Sequence, residues 1–336
     1  VRLGLGLPHY DTSLAGAPVS WERVKQVALR AEASGFDSVW VSDHLFLDWG
    51  RYGGPATQQG SLDCWTTLSA VAAATSHVRL GSLALCNDFR HPGLVAKMAA
   101  TVDLLSGGRL DVGLGAGWYE QEYAAAGIPF DRPRRRIERL GEAVEIVQRL
   151  LDGEELHFEG RHYRIEGAVC RPGPHQQPRP PVWIGGKGDR LLATAASIAD
   201  GWNMSWLGSL EAYRDRLRVA LDACEAAGRD PATLRRSVGA YVLVGRSEAD
   251  ARTRFERLVE RSPSGVLRSY TKETAVSWDQ FRRDHFAGTV AEVTDRLGPL
   301  EELGVEEVIV SLGTLPFQVA DEDDVEQVGA MAPALR

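Results

Sequence analysis

The stretch Val39-Trp40-Val41-Ser42-Asp43-His44 decides the fold. It completes an apolar run that starts at Phe36, directly after an amphipathic segment ending at Gly35. In order this reads helix, turn, strand, then a carboxylate and an imidazole at the strand's C-terminal end. Parallel α/β proteins bind their ligands at that end. An imidazole placed there gives or takes a proton near neutral pH. The simpler alternative makes Asp43 the cap of a short helix and His44 a polar loop residue.

Outward from this stretch the same rhythm repeats. Strand one is predicted at Leu3 to Leu7 and a helix at Trp21 to Ala33, with Val24, Val27, Ala28 and Ala31 on one face. After strand two, Ser38 to Val41, come a Gly-rich loop from Asp48 to Ser61 and a helix from Cys64 to Thr75. Strand three is Val78 to Leu85, and Pro92 opens the helix that ends at Ser106-Gly107-Gly108. Strand four, Arg109 to Leu114, precedes a long helix from Pro133 to Leu151.

Between 152 and 180 the rhythm breaks. Leu156 to Ile165 reads as a hairpin turning at Glu159-Gly160, and Arg171 to Pro181 is Pro-rich and extended. The rhythm resumes with strand five at Pro181 to Ile184, strand six at Gly201 to Ser205 and strand seven at Val238 to Gly245. Helices follow each, at Asp189 to Ile198, Ser209 to Ala227 and Glu248 to Arg261. A second insertion, irregular or helical, covers 262–284; a helix from Thr289 to Leu303 then leads to strand eight, Glu307 to Leu312. Eight βα units with no stretch left for a second core predict one (β/α)8 TIM-barrel domain over 1–336, several of its strands apolar on both faces.

Composition narrows the function. Net charge is −8 and the only basic block is a short arginine run, Arg132 to Arg136, which argues against nucleic acid as a partner. The four cysteines have no zinc or redox spacing, so a reduced, cytoplasmic setting is expected. No apolar run approaches membrane-spanning length, and the opening Val1 to Pro8 is too short and Gly-broken for a signal peptide.

In a barrel the loops after the strands share one rim. After strand three come Arg90 and His91, just before a helix, where capping is the plainer reading. Strand four ends in Gly113-Leu114-Gly115-Ala116-Gly117-Trp118-Tyr119-Glu120. Its glycine spacing is wrong for a dinucleotide fingerprint, but alternating glycines let the backbone meet a flat ligand. A tight strand-to-helix turn is the alternative. Strand five ends in Ile184-Gly185-Gly186-Lys187-Gly188, at a helix N-terminus that favours a phosphate, with Lys187 and Arg190 adding positive charge. Neither a metal nor a serine nucleophile is suggested, because no three-ligand His/Glu cluster and no nucleophile elbow is present.

Taken in this order, these segments resemble the bacterial-luciferase-like monooxygenase superfamily, and within it the branch that uses the deazaflavin coenzyme F420. Phe89-Arg90-His91-Pro92, the Leu105-Ser106-Gly107-Gly108-Arg109-Leu110 segment and Leu303-Gly304-Val305 add to the match, which covers nearly the whole chain. The resemblance implies a luciferase-like barrel, generally dimeric, that transfers hydride between F420 and a small organic substrate. It implies that Asp43 and His44 contact the deazaflavin ring, with His44 as the catalytic acid or base. It implies a cis peptide at Leu83–Ala84 behind the ring, with Cys86 where a small polar residue is usual. Gly115, Ala116 and Gly117 would form the platform, and Ile184, Gly185, Gly186 and Lys187 the phosphate site. Trp49, Trp118, Tyr119 and Glu120 are candidates for the substrate pocket, and Arg132 to Arg136 is either a site for an acidic cofactor tail or a solvated helix start. An FMN-dependent monooxygenase, a non-catalytic relative and a sugar-phosphate barrel enzyme are the alternatives. Titration with each cofactor separates them.

Overall fold

Strand β1, Arg2–Gly6, pairs with both the second strand and the last, so the sheet closes on itself. The computed structural model describes residues 1–54, 56–262 and 277–335. The remaining barrel strands are β2 (Ser38–Val41), β3 (Arg79–Ser82), β4 (Leu110–Gly115), β5 (Val182–Gly185), β6 (Gly201–Met204), β7 (Arg235–Gly245) and β8 (Glu307–Ser311). They pair in parallel in chain order, and β8 returns to β1 with Gly4 opposite both Ile309 and Ser38. The predicted (β/α)8 barrel is therefore the fold, and most predicted helices lie where periodicity put them.

Strand alternation divides the side chains. Leu3, Leu5, Val39, Val41, Leu80, Val112, Ile184, Val308 and Val310 face outward and pack with the helices into the main core. The inward set is not apolar, contrary to expectation. Glu307, inside the barrel, accepts from Ser38 Oγ and from the Trp40 indole N–H (3.1 Å), and Arg2 pairs with it at 3.1 Å. Asp111 accepts from the Trp183 indole (3.0 Å) and from Arg79 (2.7 Å). Two indoles and two carboxylates plug the lower barrel, each carboxylate held by an indole N–H and an arginine.

Three departures from the predicted elements position the site. Strand three is broken: β3 stops at Ser82, and Leu85–Cys86 resumes pairing with β4. The intervening Leu83–Ala84 peptide is cis. Glycine at 113 is required here, since a Cβ would lie 2.0 Å from the Ser82 carbonyl oxygen. Strand β7 begins three residues earlier than predicted and outlasts the barrel. A further short strand, Phe286–Thr289, pairs with its second half, Val242–Gly245. That strand escapes sequence reading because Ala287 and Gly288 give it little β character.

The first insertion forms the expected antiparallel hairpin, Leu156–Glu159 with Arg164–Ala168. Glu142, on the Pro133–Leu151 helix, accepts the backbone N–H groups of Arg161, His162 and Tyr163 and fixes it there. Of the second, residues 263–276 lie outside the described residues; Trp278–Asp284 is a helix with Trp278 and Phe281 buried. Among the described residues no helix is long and apolar enough to cross a membrane.

Candidate functional site

A cavity of about 540 Å³ opens at the C-terminal ends of the strands. His44 from the loop after β2, Gly117 from the loop after β4 and Gly185 at the end of β5 all line it. The turns singled out in the sequence thus meet at one mouth.

Glu122 holds His44 in place. Tyr119, Glu122 and Tyr123 share the buried face of the short helix Glu120–Ala126. Glu122 Oε2 lies 2.7 Å from His44 Nδ1, and its Oε1 accepts from the backbone N–H groups of Leu45 and Phe46 (2.9 Å for Phe46). A carboxylate accepts only, so His44 carries its proton on Nδ1 and offers the Nε2 lone pair. Trp118 meets the imidazole edge to face, with centroids 5.6 Å apart.

Asp43 is not a helix cap. Its Oδ2 accepts from Arg90 Nη1 (2.7 Å) and from the Cys86 backbone N–H (3.0 Å). Asp63 is the residue that caps the following helix, through Thr66 N–H at 2.9 Å, and it holds the other guanidinium nitrogen of Arg90. Burial pushes the Asp43 carboxyl up from its ordinary value, and Arg90 opposes the push. Its Oδ1 is buried with no hydrogen-bond partner, which leaves a place for a donor supplied by a ligand. His91 does cap its helix, accepting from Gly93 N–H at 3.2 Å.

The back wall comes from the broken strand. Leu83, Ala84 and Cys86 line the cavity, facing Gly115, Ala116 and Gly117. A Cβ on Gly115 or Gly185 would sit 3.5 or 3.4 Å from Ala84 Cβ, filling the slot between the two sides. Gly117 combines φ +72° with a Cβ position 1.9 Å from the Tyr123 hydroxyl, so no side chain fits. The Cys86 thiol lies 3.1 Å from Tyr123 Oη, and that hydroxyl donates to Asp88 (3.1 Å). Burial pushes the thiol up to about 12, so it is a neutral wall group.

Gly185, Gly186 and Lys187 line the opposite side, ahead of the helix Asp189–Ile198, whose cap residue Gly188 supplies no side chain. That slot, the orphaned Asp43 oxygen and an open helix N-terminus fit a flat, phosphorylated cofactor. Lys187 Nζ donates to the Trp206 carbonyl (2.8 Å), which ties the loops after β5 and β6 together. Burial draws the Lys187 ammonium below its ordinary value.

Some expected contributors lie elsewhere. Ile184 does not line the cavity, because alternation turns it outward between inward-facing Trp183 and Gly185. Glu120 is exposed, two positions before the buried Glu122. Arg136 is buried against the Phe130 ring, 3.9 Å from its centroid, and donates to the carbonyls of Ala116 (3.2 Å) and Asp131 (2.5 Å). Arg134 and Arg135 pair with Glu138 and Asp131 at the surface, and Arg190 is exposed outside the cavity.

Trp49, Trp118 and Tyr119 do line the cavity, joined by Ser42 and by residues sequence reading passed over: Tyr10, Tyr52, Trp206 and Phe317. Tyr10 and Phe317 come from the loops after β1 and β8. Tyr10, Trp49, Leu83, Tyr119 and Phe317 belong to an apolar cluster separate from the main core. Tyr10 Oη bonds Ser42 Oγ, which lies 3.2 Å from Nε2 of the fully buried His9.

The family model for luciferase-like monooxygenases matches residues 2–307. The chain belongs to the luciferase-like monooxygenase family. The F420-dependent hydroxymycolic acid dehydrogenase of Mycobacterium tuberculosis is 29% identical over 310 residues, 90% of this chain and 80% of its own. The F420-dependent glucose-6-phosphate dehydrogenase of Amycolatopsis mediterranei is 32% identical over 236 residues, 68% of each chain. A monooxygenase from Streptomyces bottropensis superposes with a TM-score of 0.75, at 27% identity, over 99% of both chains. Proteins named as dehydrogenases and one named as a monooxygenase are thus both similar to this chain.

Proposed function

We propose that this chain is an F420-dependent oxidoreductase that passes hydride between the deazaflavin and a small organic substrate, with His44 as proton partner. The dehydrogenase relatives named above support the cofactor. The observation that carries the reading is the Glu122–His44 pair at the mouth of a glycine-lined slot.

The bound deazaflavin would supply a ring carbon that accepts or returns hydride. The chain's own residues do the rest. Leu83, Ala84, Gly115 and Gly185 leave a thin gap that holds a planar ring. Asp43 Oδ1 would accept a ring N–H, and Lys187 with the helix N-terminus would hold the phosphate. His44 Nε2 takes the hydroxyl proton of an alcohol or, charged, returns one to a carbonyl oxygen. Glu122 fixes the tautomer and stabilises the charged ring.

The chain acts as a homodimer on this reading. Leu94, Met98 and Leu105 form an exposed stripe along the helix Pro92–Ser106, at 61%, 36% and 58% exposure, a face suited to a second copy. Sedimentation of Leu105→Glu checks this; the variant is expected to be monomeric.

Fluorescence titration with F420 and with FMN tests the cofactor. F420 is expected to bind tightly and FMN weakly. The reverse, with oxygen consumption, would establish the monooxygenase reading that the Streptomyces bottropensis neighbour favours.

A further inference from the structure

The half of the cavity facing His44 is largely aromatic. Trp49, Tyr52, Trp118, Tyr119, Trp206 and Phe317 line it. Trp118 and Tyr119 lie 5.1 Å apart beside His44, and Trp206 meets Phe317 edge-on at 5.5 Å. The Tyr119 hydroxyl donates to Asp48 at 2.6 Å, and Tyr10 Oη bonds Ser42. Both hydroxyls are thus already partnered by protein groups.

Charge points the same way. Among the described residues Lys187 is the sole lysine or arginine lining the cavity, and it sits in the glycine loop bonded to Trp206. Arg90 is spent on Asp43 and Asp63 within the wall, and Arg136 on backbone carbonyls. The lining instead holds two carboxylates, Asp43 and Glu122, the second directly against His44. A phosphate or carboxylate brought to this half would lose its water, find no cation among the described residues and meet Glu122.

Resting on the F420 reading, we infer that the substrate is an uncharged, ring-bearing alcohol or ketone. Its ring packs on the Trp118–Tyr119 pair and its oxygen lies at His44. On this inference sugar phosphates such as glucose-6-phosphate, the substrate named for the 32% identical relative, are poor substrates.

The test uses purified full-length chain loaded with F420, with 1-phenylethanol, 2-propanol and glucose-6-phosphate as probes. The expected result is a kcat/KM for 1-phenylethanol about a hundredfold above that for glucose-6-phosphate, the discrimination an unpaired buried anion imposes. Trp118→Ala is expected to cost 1-phenylethanol about tenfold, and more than it costs 2-propanol, as a lost aromatic contact would. Calorimetric binding of acetophenone and glucose-6-phosphate to the same protein gives a second readout that needs no turnover. Equal or better binding or turnover of glucose-6-phosphate would overturn the inference, as would an unchanged response in Trp118→Ala. Failure of F420 to bind would instead sink the cofactor reading. Calorimetry on the unloaded chain would then still decide the pocket's preference.

Discussion

Glu122 Oε2 sits 2.7 Å from His44 Nδ1 while its other oxygen holds the backbone of Leu45 and Phe46. One buried carboxylate therefore sets both the tautomer of the imidazole and the course of the chain that carries it.

Glu122→Gln should keep the backbone contacts but turn an amide N–H₂ toward Nδ1. The ring proton then moves to Nε2 and the base is lost. We expect kcat to fall about a hundredfold with F420 affinity unchanged, close to the loss for His44→Ala. The double variant should be little worse than either single one, because the two residues act as a unit. Additive losses in steady-state kinetics would show that Glu122 acts independently.

Lys187→Met separates phosphate binding from ring binding. Affinity for F420 should fall about tenfold, as for loss of one charge-assisted contact. Affinity for the phosphate-free deazaflavin riboside should stay the same. Equal losses for both ligands, measured by fluorescence titration, would place Lys187 elsewhere in the mechanism.

Asp43→Ala strands the largely buried Arg90 with Asp63 alone. Breaking such a pair costs about 3–5 kcal/mol. The urea midpoint should drop accordingly, and Asp43→Ala/Arg90→Leu should recover part of it. If Asp43→Ala were as stable as the parent chain, Asp63 alone would suffice for Arg90.

His9 gives the barrel an acid limit. Burial lowers its pKa from 6.5 to about 4, so the folded chain holds it neutral where the unfolded chain protonates it. The resulting stability is complete above pH 6.5 and is lost as pH falls toward 4, about 3 kcal/mol from this residue. His9→Gln should flatten that slope in urea denaturation between pH 7 and pH 4.5. A slope identical to the parent's would remove His9 as the cause.

How much of this was legible in the sequence follows from what each feature depends on. Strands flanked by helices are local patterns, so the barrel and its rim could be read from β2 and its neighbours. The glycines at 115, 117, 185 and 186 were legible because the lack of a side chain is itself a signal. Glu122 was passed over for Glu120 although periodicity held the clue: 119, 122 and 123 share a helix face and 120 does not. Tyr10 and Phe317 carried no local signal, since they reach the cavity only when β8 closes against β1. The polar barrel interior was hidden for the same reason. Glu307 and Ser38 look like mistakes in apolar strands until closure sets them side by side.

The aromatic wall rests in its own cluster, apart from the packing between barrel and helices. Replacements at Trp49, Tyr119 or Phe317 therefore disturb a local mosaic and leave the outer hoop of strands and helices intact. A lineage built on this scaffold can exchange one substrate for another by changes at these positions, outside the seam where strands meet helices.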